Sequence, residues 1–121
     1  MEETIRILKV APGQPPEETV VPNTLEASQQ IVGGYIEVVG LDDDCVLVCN
    51  EEGKLLGLPG NRRCGEDIIT GTFFVTACDE EGDFCSLSND QMETFWQQFA
   101  EIQTFTQKDI DDAMVFPIWG Y

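Results

Sequence analysis

The sequence predicts an α+β fold, a single mostly antiparallel β-sheet with two helices packed on it. Three observations predict this class. Short alternating or apolar segments recur along the chain between turns rich in Gly, Pro, Asn and Asp. Only two segments combine helix caps with helical periodicity. No linker sets off a second unit, so residues 1–121 are expected to form one acidic α+β domain, whose hydrophobic fraction of 42% supplies one core.

The N-terminal part predicts a hairpin followed by a helix. Residues 4–11 alternate in polarity and predict a strand, and residues 17–21 predict its partner across a turn-rich connection. Asn23 has the side chain of an N-cap, and Glu26 three residues later completes a capping box. The helix is expected to end at the Gly33-Gly34 pair, because glycine readily adopts the left-handed conformation of a C-cap.

Five segments in the middle of the chain predict strands. Residues 35–39 are the first, and residues 45–49 are almost entirely apolar, which indicates a central strand. Residues 54–58 follow an acidic turn as a further candidate. Residues 71–78 are rich in β-branched and aromatic side chains. Residues 84–87 are expected to return as the hairpin partner of that strand.

The C-terminal part predicts the second helix, over residues 90–104, with Ser88 or Asn89 as its N-cap. Its apolar side chains at helical spacing are Met92, Phe95, Trp96, Phe99 and Ile102. Residues 105–121 are expected to form a tail or an edge strand. Pro117 argues against a central position in the sheet, because proline cannot donate to the ladder.

The charge of the chain limits the functions open to it. There are 23 Asp and Glu against 6 Lys and Arg, with no His, for a formal net charge of −17. Such a polyanion repels nucleic acids and anionic membranes and attracts basic protein surfaces. We therefore expect no direct nucleic-acid partner and no membrane partner. Because histidine is missing and no paired catalytic motif stands out, we expect the protein not to be an enzyme.

Cysteine usage and hydropathy indicate a cytoplasmic protein. The apolar runs are too short to span a bilayer, and the acidic start of the chain is not that of a signal peptide. The count of cysteines is odd, which favours reduced thiols in the absence of a secretory context. They are Cys45, Cys49, Cys64, Cys78 and Cys85.

Buried thiols explain these cysteines better than a metal site does. Cys45 and Cys49 are predicted to share a strand face, and Cys78 and Cys85 to lie opposite each other across a hairpin. The spacings differ from the close Cys pairs of zinc sites, so we expect no metal and no cofactor. Cys64 follows two arginines, and their charge could lower its pKa; an inert loop thiol is the favoured alternative.

Four acidic clusters are candidates for binding a partner. They comprise Asp42, Asp43 and Asp44; Glu51 and Glu52; Asp79, Glu80, Glu81 and Asp83; and Asp109, Asp111 and Asp112. Duplex DNA presents one charge per ~1.7 Å of axis, so ordered carboxylates could occupy a protein groove built for DNA. The alternative is a solvated surface that keeps the protein soluble. None of the clusters has the ligand ladder of a calcium loop.

Arg62 and Arg63 form the only adjacent basic pair and suggest a second kind of site. With Asn61 and the surrounding glycines, they could hold a phosphate or a nucleotide through bidentate hydrogen bonds. The spacing is not that of a phosphate-binding loop. The favoured alternative pairs these arginines with local carboxylates such as Glu66 and Asp67.

Two aromatic residues near the end of the sequence suggest a third kind of candidate site. Trp119 and Tyr121 could dock on their own domain, or they could anchor a partner or a second copy of the chain. A homodimer is therefore one option for the oligomeric state.

Several stretches together resemble a small family of domains of unknown function, whose members are common in phages and other mobile elements of Firmicutes. The stretches are NTLEA (23–27), IVGGYIE (31–37), NEEGKLLGLP (50–59), NR (61–62), DII (67–69), GTFFV (71–75) and the hairpin at 79–87. The resemblance spans roughly residues 4 to 100. It implies an accessory protein of a mobile element and transfers no catalytic residue.

Charge and resemblance together give a leading hypothesis. The protein is expected to be a non-enzymatic inhibitor of a host defence nuclease, of the anti-CRISPR or anti-restriction type. It would bind the basic nucleic-acid surface of that nuclease through its clustered carboxylates, in the cytoplasm of the host bacterium. The alternatives are a nucleotide-binding sponge that uses Arg62 and Arg63, and a plain interaction module that uses Trp119 and Tyr121.

Overall fold

The computed structural model describes residues 3–113. The strands in this part of the chain are β1 (Thr4–Val10), β2 (Glu17–Pro22), β3 (Ile36–Gly40), β4 (Cys45–Asn50), β5 (Gly60–Cys64), β6 (Asp67–Thr70), β7 (Phe73–Cys78) and β8 (Phe84–Cys85). The helices are α1 (Leu25–Val32), α2 (Asn89–Gln98) and α3 (Gln107–Ala113). The predicted α+β class with mostly antiparallel pairing is confirmed.

The prediction of a single sheet with two helices is wrong. The main sheet has the strand order β2-β1-β7-β4-β3, with β8 paired to β7, and β5 and β6 form a separate two-stranded sheet. Ile69 of β6 belongs to the core on one face of the main sheet, so this hairpin covers that face and does not extend the sheet edge. Within residues 3–113 there are three helices.

Strand alternation divides the core into two clusters, one on each face of the main sheet. Along β7, Phe73 and Val75 face the first cluster, whereas Phe74 faces the second. The first cluster is closed by α2 and by the β5–β6 hairpin, and the second by α1. The buried position of β4 between β7 and β3 confirms the prediction of a central strand at residues 45–49.

The helix caps follow the sequence signals closely, with one shift. Thr24, rather than Asn23, is the N-cap of α1, and its side chain accepts from the Ala27 N–H at 3.1 Å. Asn23 Nδ2 instead donates to the Phe84 carbonyl oxygen at 3.0 Å, which ties the start of α1 to β8. The predicted C-cap is confirmed, since Gly33 has a φ of 80°.

Helix α2 is shorter than predicted because a tertiary contact ends it. Ser88 and Gln91 form a reciprocal capping box at its N-terminus. The helix stops at Gln98, and Phe99 is the C-cap. The Phe99 carbonyl oxygen accepts from Nε of Arg62 at 2.8 Å instead of from a further helical turn. The prediction of a helix to residue 104 is therefore wrong at its C-terminal end.

The segment after α2 is helical where the structure describes it. Thr106 and Asp109 cap α3 reciprocally, since each backbone N–H donates to the other residue's side chain at 2.9–3.1 Å. Gln107–Ala113 therefore form a helix within the segment predicted as a tail or an edge strand, and the sequence analysis did not predict this helix. Residues 114–121, including Pro117, Trp119 and Tyr121, lie outside the described residues.

The predicted strand at residues 54–58 is replaced by consecutive turns. The Leu56 N–H donates to the Glu52 carbonyl oxygen at 2.9 Å, and the Leu58 N–H to the Gly53 carbonyl oxygen at 3.0 Å. Gly57 has a φ of 72°, which L side chains rarely adopt. The next strand is β5, which pairs with β6, so Cys64 lies in a β-hairpin and not in the predicted loop.

Candidate functional site

Two of the four acidic clusters meet at one end of the main sheet. β4 begins where its neighbour β7 ends, and the register pairs Cys45 with Ala77. The Cys78 N–H donates to the Asp44 carbonyl oxygen at 2.7 Å, so the turn before β4 lies against the turn after β7. We call the carboxylate residues of these two turns the acidic end: Asp42, Asp43, Asp44, Asp79, Glu80, Glu81 and Asp83.

Hydrogen bonds inside the two turns hold the acidic end in place. Asp42 Oδ1 accepts from the Asp44 N–H at 2.9 Å. Asp79 Oδ1 accepts from the N–H groups of Glu81 and Asp83 at 2.9 and 3.0 Å. Side chains that bond their own turn in this way order the backbone without a partner. The other carboxylates of the acidic end therefore extend from a fixed backbone.

The acidic end carries no counter-charge of its own. Residues 64–107 contain no Lys or Arg, and neither do residues 10–53. The ion pairs among residues 3–113 join Arg6 to Glu18, Lys54 to Asp67, and Lys108 to Asp112. None of these pairs involves the acidic end, which consequently presents uncompensated negative charge to solvent.

The second predicted cluster, Glu51 and Glu52, lies at the opposite end of the main sheet, where β4 ends. The Glu51 N–H donates to the Tyr35 carbonyl oxygen at 2.9 Å, and the Glu52 N–H donates to Asn50 Oδ1 at 2.7 Å. Both carboxylates are exposed. The structure thus separates this pair from the acidic end by the length of β4.

The fourth cluster is used within α3. Two hydrogen bonds from Thr106 to the Asp109 carboxylate lower the pKa of that group. The carboxylates of Asp111 and Asp112 accept from side chains one helical turn earlier, at 2.9 and 2.8 Å. These groups stabilise a short helix, so within residues 3–113 the acidic end is the one place where two predicted clusters meet.

Arg62 is an internal connector and not a surface residue. Its side chain is 1% exposed. Nε donates to the Phe99 carbonyl oxygen at 2.8 Å, and Nη2 donates to the Gln14 carbonyl oxygen at 2.6 Å. Nη1 donates to the Asn61 side-chain oxygen at 2.8 Å and to the Asn61 carbonyl oxygen at 3.2 Å. Within the described residues it pairs with no carboxylate, and burial lowers its pKa.

Asn61 extends the same network. Its Nδ2 donates to the carbonyl oxygens of Val10 and Gly71 at 2.8 and 2.9 Å. Arg63 is exposed, and its guanidinium carbon lies 5.8 Å from the centre of the Phe105 ring. The alternative that pairs Arg62 with local carboxylates is wrong, because its partners are carbonyl and amide oxygens. Of the three residues proposed to hold a nucleotide, the structure leaves only Arg63 accessible.

A cleft missed by the sequence analysis lies between β3, the end of β4 and β6. Its volume is about 290 Å³. Its charged lining consists of Glu37, Glu51 and the ion pair of Lys54 and Asp67, and Cys49 also lines it. The Cys49 Sγ is 3.9 Å from Glu37 Oε1. No sequence motif joins these residues, because register alone brings Glu37 opposite Cys49.

Burial raises the thiol pKa of four of the five cysteines, Cys45, Cys49, Cys64 and Cys78. As predicted, Cys45 and Cys49 share one face of β4, and both belong to the first core cluster. The prediction that Cys78 lies opposite Cys85 is wrong, since Cys85 pairs with Ala77. Burial, followed by the charge of Asp67, raises the pKa of the Cys64 thiol, so the neighbouring arginines do not activate it. Among residues 3–113, no His, Cys, Asp or Glu side chains are grouped to hold a metal ion.

We expect the free energy of unfolding to fall as the pH rises from 9.0 towards about 12. Burial first, and then Asp42 or Glu37, raises the pKa of Cys45 and of Cys49 from 9.0 to about 12. The unfolded chain releases these protons near pH 9.0 and the folded chain retains them, so alkaline solution favours unfolding. Below pH 9.0 the two thiols make their full contribution to the free energy of unfolding.

Urea unfolding across this pH range measures the effect. Lysine and tyrosine also titrate at alkaline pH, so the matched control is the double variant Cys45→Ala, Cys49→Ala. Its free energy of unfolding should decline less steeply than that of the wild type. Parallel declines in the two proteins would contradict the assignment.

The comparisons with known proteins give one family. Residues 5–100 match the family described as "Domain of unknown function (DUF3846)". No curated protein and no solved structure matches the chain. Separately, among the described residues, no helix has the length and apolar character needed to cross a membrane.

Proposed function

The chain belongs to the DUF3846 family, and we propose that it is a non-enzymatic inhibitor that occupies a basic, nucleic-acid-binding surface of another protein through its acidic end. One observation carries the proposal. Two predicted acidic clusters form a single group of carboxylates, held by their own turns and without an ion pair among the described residues. That arrangement is what a cationic groove recognises in a polyanion.

The energetics favour a partner whose groove is built for DNA. A groove lined with Lys and Arg carries condensed anions or nucleic acid, and a polyanionic protein gains free energy by replacing them. The charge of −17 also steers encounter from beyond contact distance, over about 8–10 Å at physiological salt. Because the turns are already ordered by Asp42 and Asp79, little conformational entropy is lost on binding.

The resemblance to a domain family that is common in phages and other mobile elements suggests the kind of partner. We place the protein in the cytoplasm of a host bacterium, where the partner is a defence nuclease of the CRISPR or restriction type. Such nucleases hold DNA or a guide heteroduplex in positively charged channels. An inhibitor in that channel blocks DNA binding without chemistry of its own.

The test neutralises the acidic end without removing the two carboxylates that hold the turns. The variant carries Asp43→Asn, Asp44→Asn, Glu80→Gln and Glu81→Gln. The matched control carries Glu17→Gln, Glu66→Gln, Glu93→Gln and Glu101→Gln, all exposed positions outside the acidic end. Both variants change the formal net charge from −17 to −13, so they differ only in where the charge is lost.

The readout is DNA cleavage by a panel of purified CRISPR and restriction nucleases. We expect the wild type to inhibit at least one of them, with an inhibition constant that weakens as salt is added and with duplex DNA as a competitor. The acidic-end variant should lose about tenfold or more in inhibition, and the control variant about twofold or less. The proposal fails if no nuclease is inhibited, or if both variants inhibit equally well.

Neither alternative function gains support from the described residues. The nucleotide sponge depends on Asn61 and Arg62, whose side chains are bonded inside the fold. The interaction module depends on Trp119 and Tyr121, which lie outside the described residues.

A further inference from the structure

We propose that β3 receives an extended, basic segment of the partner protein as an added strand of the main sheet. This inference rests on the proposed function, since it takes the partner to be basic, and it names how that partner is held. Addition of a strand supplies main-chain hydrogen bonds for affinity, and the side chains on either face of the new strand supply specificity.

The outer edge of β3 has unused hydrogen-bonding groups. β3 is the last strand of the main sheet and pairs only with β4 in the described chain. The Leu41 N–H donates to the Cys45 carbonyl oxygen, and the Tyr35 carbonyl oxygen accepts from the Glu51 N–H, both at 2.9 Å. These bonds set the alternation of the antiparallel ladder.

In this ladder, the backbone N–H and C=O groups of every second residue of β3 point away from β4. The outward residues are Ile36, Val38 and Gly40. By this register their backbone N–H and C=O groups point away from β4, and within residues 3–113 no backbone hydrogen bond from a turn or loop reaches them. No proline interrupts this edge, and Val38 is 48% exposed. An open edge with a free apolar side chain is a template for another strand.

The opposite edge of the sheet, formed by β2, ends in a proline. The Asn23 N–H donates to the Glu3 carbonyl oxygen, so the outward residues of β2 are Glu18, Val20 and Pro22. Proline has no N–H to offer, and edge proline is a common device against strand addition. The β2 edge therefore offers two outward N–H groups, those of Glu18 and Val20, whereas the β3 edge offers three.

Charge around β3 selects the occupant. Glu37 is exposed on the face of the first core cluster, and Val38 lies on the opposite face. Asp42 and the rest of the acidic end follow β3, whereas Glu51 and Glu52 lie beside its start. An added strand with alternating basic and apolar side chains places the basic ones near Glu37 and an apolar one beside Val38.

The same charge opposes a second copy of this chain in that position. Two β3 strands paired edge to edge in the antiparallel sense would bring the acidic end of each copy beside Glu51 and Glu52 of the other, and like charges on adjacent strands are destabilising. The negative charge therefore rejects self-pairing and admits a cationic segment, which is how edge strands avoid unwanted partners.

The test uses a fluorescent peptide of alternating lysine and valine, with a peptide of alternating glutamate and valine as the charge control. The variant is Val38→Pro, which removes an outward N–H and leaves the ladder with β4 intact. The matched control is Val20→Pro on β2, another outward valine, 61% exposed. We expect Val38→Pro to weaken binding of the Lys-Val peptide about tenfold or more and Val20→Pro about twofold or less.

Amide hydrogen exchange in the wild-type protein gives a second, mutation-free readout. The lysine-valine peptide should slow exchange at Ile36, Val38 and Gly40, because their N–H groups gain partners. The N–H groups of Glu37 and Val39 face β4 already and should change little. Such protection of alternate residues indicates strand addition, whereas a peptide bound only by charge leaves these amides unchanged.

The outcomes separate this inference from the proposed function. Equal binding of the peptide to wild type and Val38→Pro overturns strand addition, and the nuclease assay with the acidic-end variant still decides the function. If the acidic-end variant inhibits normally but Val38→Pro loses the peptide, the proposed function fails and the edge site stands. Strand addition is also overturned if the glutamate peptide binds equally well, if Val38→Pro abolishes a self-association of the wild type, or if the outward amides are protected in the free protein.

Discussion

Replacement of Arg62 with methionine is expected to lower the free energy of unfolding by roughly 3–5 kcal/mol. The guanidinium joins β5 to the end of α2 and to the β1–β2 connection through the carbonyl oxygens of Phe99 and Gln14. Methionine keeps the length of the side chain and donates no hydrogen bond. Each acceptor left unsatisfied in a dry site costs about 1–3 kcal/mol, and loss of the buried charge recovers part of that sum.

Arg63 provides the matched control for Arg62. It is the next residue of β5, but its side chain is exposed and its contact is the Phe105 ring. Arg63→Met should cost about 0.5–1 kcal/mol. Arg62→Lys should recover only part of the loss, because an ammonium group cannot reproduce the planar set of donors. Urea unfolding measures all three variants, and a cost below about 1 kcal/mol for Arg62→Met would refute the role assigned to it.

The negative charge of the whole chain lowers the free-energy cost of burying the Arg62 guanidinium. Burial of a charge without a carboxylate partner is ordinarily expensive, and hydrogen bonds to oxygen atoms offset part of the cost. The formal net charge of −17 adds a negative potential throughout the molecule, which stabilises a positive group in its interior. The buried guanidinium of Arg62 is thus stabilised by the negative charge of the whole chain as well as by its local hydrogen bonds.

Phe73→Ala is the second large expected effect, with a loss of roughly 3–5 kcal/mol in the free energy of unfolding. The Phe73 side chain is fully buried in the first core cluster. Its ring meets the Phe99 ring edge to face, with 5.2 Å between the ring centres. Alanine loses the transfer free energy of the ring, leaves a cavity and removes the aromatic contact.

Phe73→Ala should also weaken the connection between the main sheet and the end of α2, because its partner Phe99 provides the carbonyl oxygen that Arg62 binds. Tyr35→Ala is the control, since this aromatic side chain is 66% exposed. It should change the free energy of unfolding by about 0.5 kcal/mol or less. Similar losses from Phe73→Ala and Tyr35→Ala would contradict the described core.

Local patterns predicted most strands and both long helices. The apolar run at residues 45–49 indicated a central strand, and β4 lies between β7 and β3. Ser88 indicated the start of α2, and Gly33 the end of α1. These signals are local, because a cap acts within one turn of a helix and strand alternation acts between neighbouring residues. The same locality explains the failure at residues 54–58, where the turn geometry at Gly57 outweighed the apolar content.

The sequence by itself determined the negative charge, the α+β class and the reduced, buried character of Cys45 and Cys49. The tertiary structure decided which acidic clusters meet, that Arg62 is an internal connector, and that β3 is an open edge. The physical reason is that charge, periodicity and capping depend on residues close in sequence. Strand order and the partners of a long side chain depend on contacts between distant segments, which no local pattern records.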